Sequence, residues 1–335
     1  MKVGVVGLGA IGSLFFTRIL HHINPLNAVA KDRKNRVYAL VKEAHLAQLK
    51  SVAILGKERK PLLEVPTDVP PNSDLFYTDF GEDRMLDVLL VTVKSTQTHE
   101  VAAHLKAGSS IGKDSLIISV QNGLGNVKIL KDVLETDNVL HGVTYKGGVC
   151  VAPGRVIQGG TGDTIIQNAE HLGDSIQHTL SRFSSLLTAS GITNKLVPSS
   201  ELQSVLWTKL VVNAGINPLA AILNVPNKGI LAGDANLAVV EAIVDEAAAV
   251  AKAQGIPLNL QNMTPLEFTI ATATATGTNI CSMCHDMRQR RPTEIAAINE
   301  MIVCYGQQLG IPTPHNELMV HLIRAMESTQ AAEIH

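Results

Sequence analysis

The sequence predicts an α/β domain followed by an all-helical one. Three observations carry that expectation. A short apolar strand runs straight into Gly7-Leu8-Gly9-Ala10-Ile11-Gly12 and then into helical spacing. Strand-like and helix-like patterns alternate up to about residue 198, and beyond Ser200 every pattern is helical. With 335 residues the chain is long enough for two domains with cores of their own. Pro198-Ser199-Ser200 marks the boundary, with serine available to cap the next helix. The expected division is therefore 1–198 and 199–335.

Val3–Val6 reads as a buried strand and Ser13–Leu20 as a helix, which places the glycine turn in a strand–turn–helix context. That context is what a dinucleotide fingerprint of Rossmann type requires. Gly7 permits the tight turn, Gly9 lets backbone approach a pyrophosphate, and Gly12 lets helix pack against strand. The pyrophosphate would rest on the N–H groups at the helix start. A polar stretch, His21–Asn35, leads to a second strand, Arg36–Val41, which ends at Lys42 and Glu43. Lys42 favours the 2′-phosphate of NADP(H), whereas Glu43 leaves NAD open.

Residues 55–85 read as irregular or edge structure. Val88–Val93 is a β-branched, continuously apolar run, as expected of a strand buried on both faces. It ends at Lys94-Ser95-Thr96-Gln97, with a helix expected through Leu105. Ser115–Val120 is the next strand and ends at Gln121-Asn122-Gly123. Ligands of open α/β sheets lie outside the carboxyl ends of the strands, which puts Lys94, Gln97 and Asn122 at the cofactor edge. From Val139 to Gln167 short β-like runs alternate with glycines, suggesting turn-rich hairpins. Asp174–Leu187 reads as a helix and Asn194–Val197 as the last strand. Ala235–Gln254 and Thr293–Leu309 are amphipathic helices stopped by Gly-Ile-Pro, the second carrying Glu294 in its first turn.

Composition excludes several classes. Hydrophobic residues make up 45%, charged residues 17%, and the net charge is -2. Disorder is excluded, and no basic excess supports nucleic-acid binding. The apolar amino terminus mimics a signal peptide, but its glycine spacing explains it better. No uninterrupted apolar run of about 18 residues appears, so no membrane span is expected and a cytoplasmic location follows by default. Four cysteines, Cys150, Cys281, Cys284 and Cys304, are too few for a disulfide scaffold. The single CxxC at Cys281–Cys284 has no second pair for a zinc site, so no metal is expected.

Leu206–Leu223 is the oddity. It is almost entirely apolar, interrupted by Lys209, Asn213 and Asn217, which are spaced four apart and so stacked on one helix face. Surface helices show the inverse pattern. A lysine on such an element is costly to bury charged, and burial moves its pKa toward the range useful for proton transfer. Pro218 removes the hydrogen bond that would reach the carbonyl of Ala214 and predicts a kink beside the stripe.

Five blocks, GLGAIG at Gly7–Gly12, TVKSTQT at Thr92–Thr98, QNGLGN at Gln121–Asn126, KLVVNAGINPLAAILNVPN at Lys209–Asn227 and SMCHDMRQRRPTEI at Ser282–Ile295, carry a resemblance. Over nearly its whole length the chain resembles the 2-dehydropantoate 2-reductase (ketopantoate reductase) family. It departs in having Lys42 where arginine is usual, and in longer segments at 21–35 and 55–80. The resemblance implies NADPH-dependent reduction of 2-dehydropantoate to (R)-pantoate in pantothenate synthesis, in a cleft between the two domains. Lys209 would be the general acid that protonates the C2 alkoxide, and Glu294 would assist it. Ser282, Asn122, Asn213, Asn217 and Asn227 would hold the substrate. Gly7, Leu8, Gly9, Ala10, Ile11, Gly12, Lys42, Lys94, Gln97, Asn122 and Glu294 would contact NADP(H). The partner is a small 2-oxoacid, and a homodimer is compatible with these features. The nearest rival is a D-2-hydroxyacid dehydrogenase on the same scaffold, using NADH or another branched substrate. A non-catalytic nucleotide sensor fits poorly with joint retention of Lys209, Ser282 and Glu294.

Overall fold

A computed structural model describes residues 1–24, 35–67, 74–79 and 85–332. Most of the 21–35 connection and two short parts of the 55–85 region, 68–73 and 80–84, therefore lie outside the described residues. The chain forms two compact units, Met1–Gln121 with Asn126–Ser199, and Asn122–Gly125 with Ser200–His335.

The N-terminal unit is built on a ten-stranded sheet. β1 (Lys2–Val6) lies between β2 (Arg36–Leu40) and β6 (Val88–Val91), and β7 (Leu116–Ser119) follows β6, all parallel. Alternation of side chains explains the unbroken apolar runs. Val3, Val5, Val88, Leu90, Leu116 and Ile118 face α1 (Ala10–Ile23) and α5 (Asp174–Ala189), where Phe15, Phe16, Ile19 and Phe183 are fully buried. Val6, Leu89, Val91 and Ile117 face the other way, onto Leu105 of α3 (Thr98–Ala107) and Leu130 of α4 (Asn126–Leu134). Gln121, at the end of β7, donates to Val93 O (3.0 Å) and Thr98 Oγ1 (2.8 Å), joining two strand ends.

The region after Val139 differs from the expected short hairpins. β8 (Val139–Ala152) and β9 (Arg155–Gln167) form one long antiparallel hairpin with three irregularities in register. The first three residues of β8 continue the parallel sheet against β7, and the remainder pairs with β9. Apart from Gly154, which sits in the turn between them with φ +71, the glycines lie inside these strands. A Cβ on Gly160 would stand 2.9 Å from Tyr145 O and one on Gly162 2.5 Å from Tyr145 Cβ, so they mark close strand approach, not turns. β3 (Ser51–Leu55) pairs with β9, β4 (Pro61–Pro66) forms one edge and β5 (Phe76–Tyr77) the other. β10 (Asn194–Val197) adds to β9 in parallel. The four-residue helix after β2 is α2 (Glu43–Leu46).

The C-terminal unit is helical: α6 (Ser199–Leu223), α7 (Asp234–Ala253), α8 (Pro265–Ala275), α9 (Ser282–Arg288), α10 (Asn299–Leu309) and α11 (Pro314–Ala332). α6 is long and apolar enough to cross a membrane by length and composition alone, yet 78% of its most apolar window is buried inside the protein, as in a core helix. Gly215 lets α7 approach α6 closely, since a Cβ there would lie 2.6 Å from Val244 Cγ1. Trp207, 1% exposed, packs on Tyr305 of α10 at 5.7 Å between ring centroids. α8 begins with a capping box between Thr264 and Glu267 and with Pro265 at its first position.

One expectation beyond Ile280 is corrected. The stretch after Cys281 is helical, as α9, in keeping with the helical pattern beyond Ser200, with the Cys281 sulfur accepting from Cys284 N. The helix expected from Thr293 begins only at Asn299. Glu294 precedes a single 3-10 turn, Ile295–Ala297, and a break at Ile298 (φ -110, ψ -93) separates that turn from α10. Glu294 is thus outside the first turn of α10, and the helix dipole does not account for it.

Candidate active site

In the N-terminal unit the glycine turn has the conformation its residue types imply. Gly7 has φ +88, a region that L side chains rarely adopt. The Thr92 hydroxyl donates toward Val6 O (2.8 Å) and Gly7 O (2.7 Å), pinning the turn to the end of β6. A Cβ on Gly12 would stand 1.9 Å from Gly7 O and 2.4 Å from Thr92 Oγ1, so α1 meets the turn too closely for any side chain. Gly9 differs. It is the N-cap of α1 with no side-chain cap, and a Cβ there meets no protein atom within 4 Å. Leu8 is buried, while Ala10 and Ile11 are half-buried at the helix start. Lys42 is exposed and N-caps α2 at the carboxyl end of β2. Lys94 and Gln97 are half-buried, flanking the 3-10 turn Ser95–Gln97 after β6.

In the C-terminal unit three remote stretches of sequence bring together Lys209, Asn122 and Glu294. Asn122 belongs to the tetrapeptide Asn122–Gly125, which clusters with this unit. Gly123 (φ +77) and Gly125 (φ +87) shape the tetrapeptide, and Leu124 N donates to Ala297 O at 2.9 Å. A Cβ on Gly123 would come 2.2 Å from that same oxygen, so only glycine fits. Lys209 Nζ donates to Asn122 Oδ1 at 3.0 Å, and Asn122 Nδ2 donates to Glu294 Oε2 at 3.3 Å. One amide therefore links the cation to the carboxylate, and its orientation is set because the ammonium can only donate and the carboxylate only accept.

Glu294 is 4% exposed. Lys209 keeps some exposed surface, but its ammonium is enclosed well enough that burial pushes its pKa down to about 8, with the Glu294 charge opposing the fall. Desolvation is the larger of the two effects. Such a lysine holds its proton near neutral pH and gives it up far more readily than an exposed one.

The remaining residues singled out from sequence are spread along the same unit. Asn213 is half-buried one turn beyond Lys209, and Asn217 is buried one turn further. Cys281 Sγ lies 3.7 Å from Asn217 O, which brings the start of α9, and hence Ser282, to this end of the stripe. Ser282 itself is exposed. Burial pushes the Cys281 thiol up to about 11, the environment of an inert packing cysteine. Asn227 donates to Thr276 Oγ1 at 2.9 Å, and its Oδ1 is buried with no partner among the described residues. That is an acceptor whose desolvation nothing among the described residues offsets. Sequence reasoning misses Ala297, whose carbonyl seats the Asn122 turn. The Gly-Leu-Gly spacing around Leu124 signals a tight turn but not its partner.

The family model described as Ketopantoate reductase PanE/ApbA matches residues 3–171, and that described as Ketopantoate reductase PanE/ApbA C terminal matches 201–327. The chain is 28% identical over 337 residues to the 2-dehydropantoate 2-reductase of Pyrococcus abyssi (strain GE5 / Orsay), covering 98% of this chain and 99% of that one. It is 27% identical to that of Vibrio cholerae serotype O1, covering 98% and 99%. Among solved structures, a PanE/ApbA family ketopantoate reductase from Ralstonia eutropha JMP134 superposes with a TM-score of 0.80 at 24% identity, covering 99% of this chain and 100% of that one. D-mandelate dehydrogenase, solved with NADH and anilino(oxo)acetate, gives the same TM-score and identity over 99% of each chain. The two family models between them span both units, and the chain belongs to the ketopantoate reductase family.

Proposed function

We propose that this protein is an NADPH-dependent 2-dehydropantoate 2-reductase, with residues 1–198 binding NADP(H) and 199–335 binding substrate and carrying the catalytic lysine. The observation that carries this reading is the Asn122 amide held between Lys209 and Glu294. A reduced nicotinamide, when bound, supplies the hydride. The protein's own task is then to hold a 2-oxoacid and deliver one proton to its carbonyl oxygen. Lys209 is the donor, since its lowered pKa leaves it protonated yet acidic. Glu294 keeps the ammonium charged until transfer, and Asn122 fixes the direction of its N–H bonds. Asn213, Asn217, Asn227 and Ser282 offer neutral donors and acceptors for the substrate's carboxylate and hydroxyl, which orient it without adding a further charge.

The glycine turn supports the cofactor assignment. Gly12 is required by the fold itself, whereas nothing among the described residues requires a glycine at Gly9. A pyrophosphate resting on the start of α1 explains that second glycine. The exposure of Lys42 where β2 ends supports a role for it in meeting a 2′-phosphate. Lys94 and Gln97 complete the cofactor edge.

A second reading is favoured by the likeness to D-mandelate dehydrogenase with NADH: a 2-oxoacid reductase with another substrate and cofactor. A panel of 2-oxoacids assayed with NADPH and NADH in parallel separates the two. The expected result is NADPH oxidation with 2-dehydropantoate. Activity confined to aromatic or other branched 2-oxoacids overturns the first reading in favour of the second.

A further inference from the structure

Pro218 lies inside α6, one residue past Asn217. Proline has no N–H, so the carbonyl four residues earlier, on Ala214, loses its helical partner. Ala214 is fully buried, and an orphaned carbonyl there carries an uncompensated desolvation cost. The structure supplies a replacement: Asn299 Nδ2 donates to Ala214 O at 3.3 Å. Asn299 is the first residue of α10, just after the Ile298 break, and is 0% exposed.

The orientation of this amide is determined by its neighbours. Its Nδ2 also donates to Asn316 Oδ1 at 3.1 Å. Asn316 in turn uses its own Nδ2 on Ile243 O (3.0 Å) and Glu246 Oε2 (2.8 Å), so its oxygen must face Asn299. Both N–H bonds of Asn299 are committed to acceptors, and its Oδ1 is left buried with no partner among the described residues. The fold tolerates one orphaned acceptor on Asn299 while Ala214 O and Asn316 Oδ1 are served.

We infer that Asn299 is a positioning residue: its amide stands in for the missing N–H of Pro218 and holds the helical turn between Asn213 and Asn217, so that the Lys209 stripe keeps one geometry. The inference rests on the proposed role of Lys209. The ladder of α6 connects Lys209 to Asn213 and Asn213 to Asn217, and Ala214 is where that face would otherwise be free to open. Glu246, which anchors Asn316, also accepts from His315 N at 2.9 Å, so the support runs from α10 through α11 to α7.

A double-mutant cycle tests this, because Pro218→Ala restores the N–H that Asn299 replaces. Asn299→Leu alone is expected to lower kcat about tenfold and to move the basic limb of the kcat–pH profile upward, as a loosened turn admits water to Lys209. In combination with Pro218→Ala, the same substitution should cost less than about threefold and leave the limb in place. Equal losses in both backgrounds overturn the inference, as does a fall in Tm with kcat and its pH profile unchanged. Should Asn299→Leu not fold, the cycle is run by Tm with Asn299→Ala, and a loss that Pro218→Ala does not reduce overturns the pairing. A wild-type protein that reduces no 2-oxoacid sinks the proposed activity instead. NMR titration of Lys209 and the Tm cycle then still decide the role of Asn299 without turnover.

Discussion

The glycine turn of the N-terminal unit and the Lys209 cluster of the C-terminal unit are made of different material. The first is backbone: six consecutive residues whose conformation is set by glycine, with N–H groups as the proposed binding chemistry. The second is side chain: a lysine, an amide and a carboxylate brought from positions 209, 122 and 294 by tertiary structure. A backbone site is robust to most substitutions except those at its glycines. A side-chain site depends on each group separately and on the packing that aims it. Each predicts its own pattern of damage, and the two patterns can be broken independently.

The largest effect is expected at Lys209. Lys209→Ala removes the proposed donor and should lower kcat by about 10²-fold or more, the scale of general acid catalysis, while cofactor affinity measured by fluorescence titration stays near wild type. A mutant with nearly full kcat means that the proton comes from elsewhere. Glu294→Gln should cost less, about tenfold in kcat, and carries a directional signature. The Glu294 charge raises the Lys209 pKa, so its removal lowers it. As the proposed donor Lys209 acts in its protonated form, so activity is expected to fall as pH rises through about 8 in the wild type, with the fall beginning at lower pH in the variant. A basic limb that stays in place or moves up contradicts the arrangement.

The same difference explains what is legible in the sequence. The turn at Gly7–Gly12 is local, so strand, glycine spacing and helix all fall within about twenty residues and the structure follows them closely. The Lys209 stripe is also local, being one helix face, and its burial on an apolar helix is legible as an inverted amphipathic pattern. The Asn122 link between Lys209 and Glu294 is not, because no periodicity spans 87 or 172 residues. Glu294 has the sequence signature of a first-turn helix acid, since no residue between 294 and 299 announces the break at Ile298. Glycines in β8 and β9 read as turns because a glycine serving strand approach has the same one-letter signature as one serving a turn. Ala214 and Pro218 do signal an orphaned carbonyl, but nothing in the sequence points to Asn299 as its partner.

Within the glycine turn, two substitutions of the same chemistry should behave differently. Gly12→Ala places a Cβ 1.9 Å from the Gly7 carbonyl oxygen and must displace α1 or the turn. A loss of about 1–3 kcal/mol is expected for such overpacking, seen as a lower Tm in the absence of any ligand. Gly9→Ala meets no protein atom, so Tm of the free protein should hold while affinity for dinucleotide falls. Loss of Tm at Gly9, or its retention at Gly12, would show that the two glycines do not divide between ligand and fold in this way.

Lys42→Ala is expected to have the smallest effect and the most selective one. Lys42 is solvent-exposed at the N-cap of α2, so its contribution to stability is slight and a Tm shift is not expected. An exposed ammonium facing a phosphate dianion still discriminates, because NADH offers no partner to it. The KM for NADPH should rise about tenfold and that for NADH by less than about twofold, with the difference shrinking at high salt as screening takes hold. Arg at this position would offer a fork of donors to the phosphate where lysine offers a point charge. Lys42→Arg is therefore expected to lower the KM for NADPH, in the direction opposite to alanine. Equal changes for both cofactors in the alanine variant would remove Lys42 from 2′-phosphate recognition. The glycine turn, proposed to meet the pyrophosphate common to both cofactors, would then carry no preference between them.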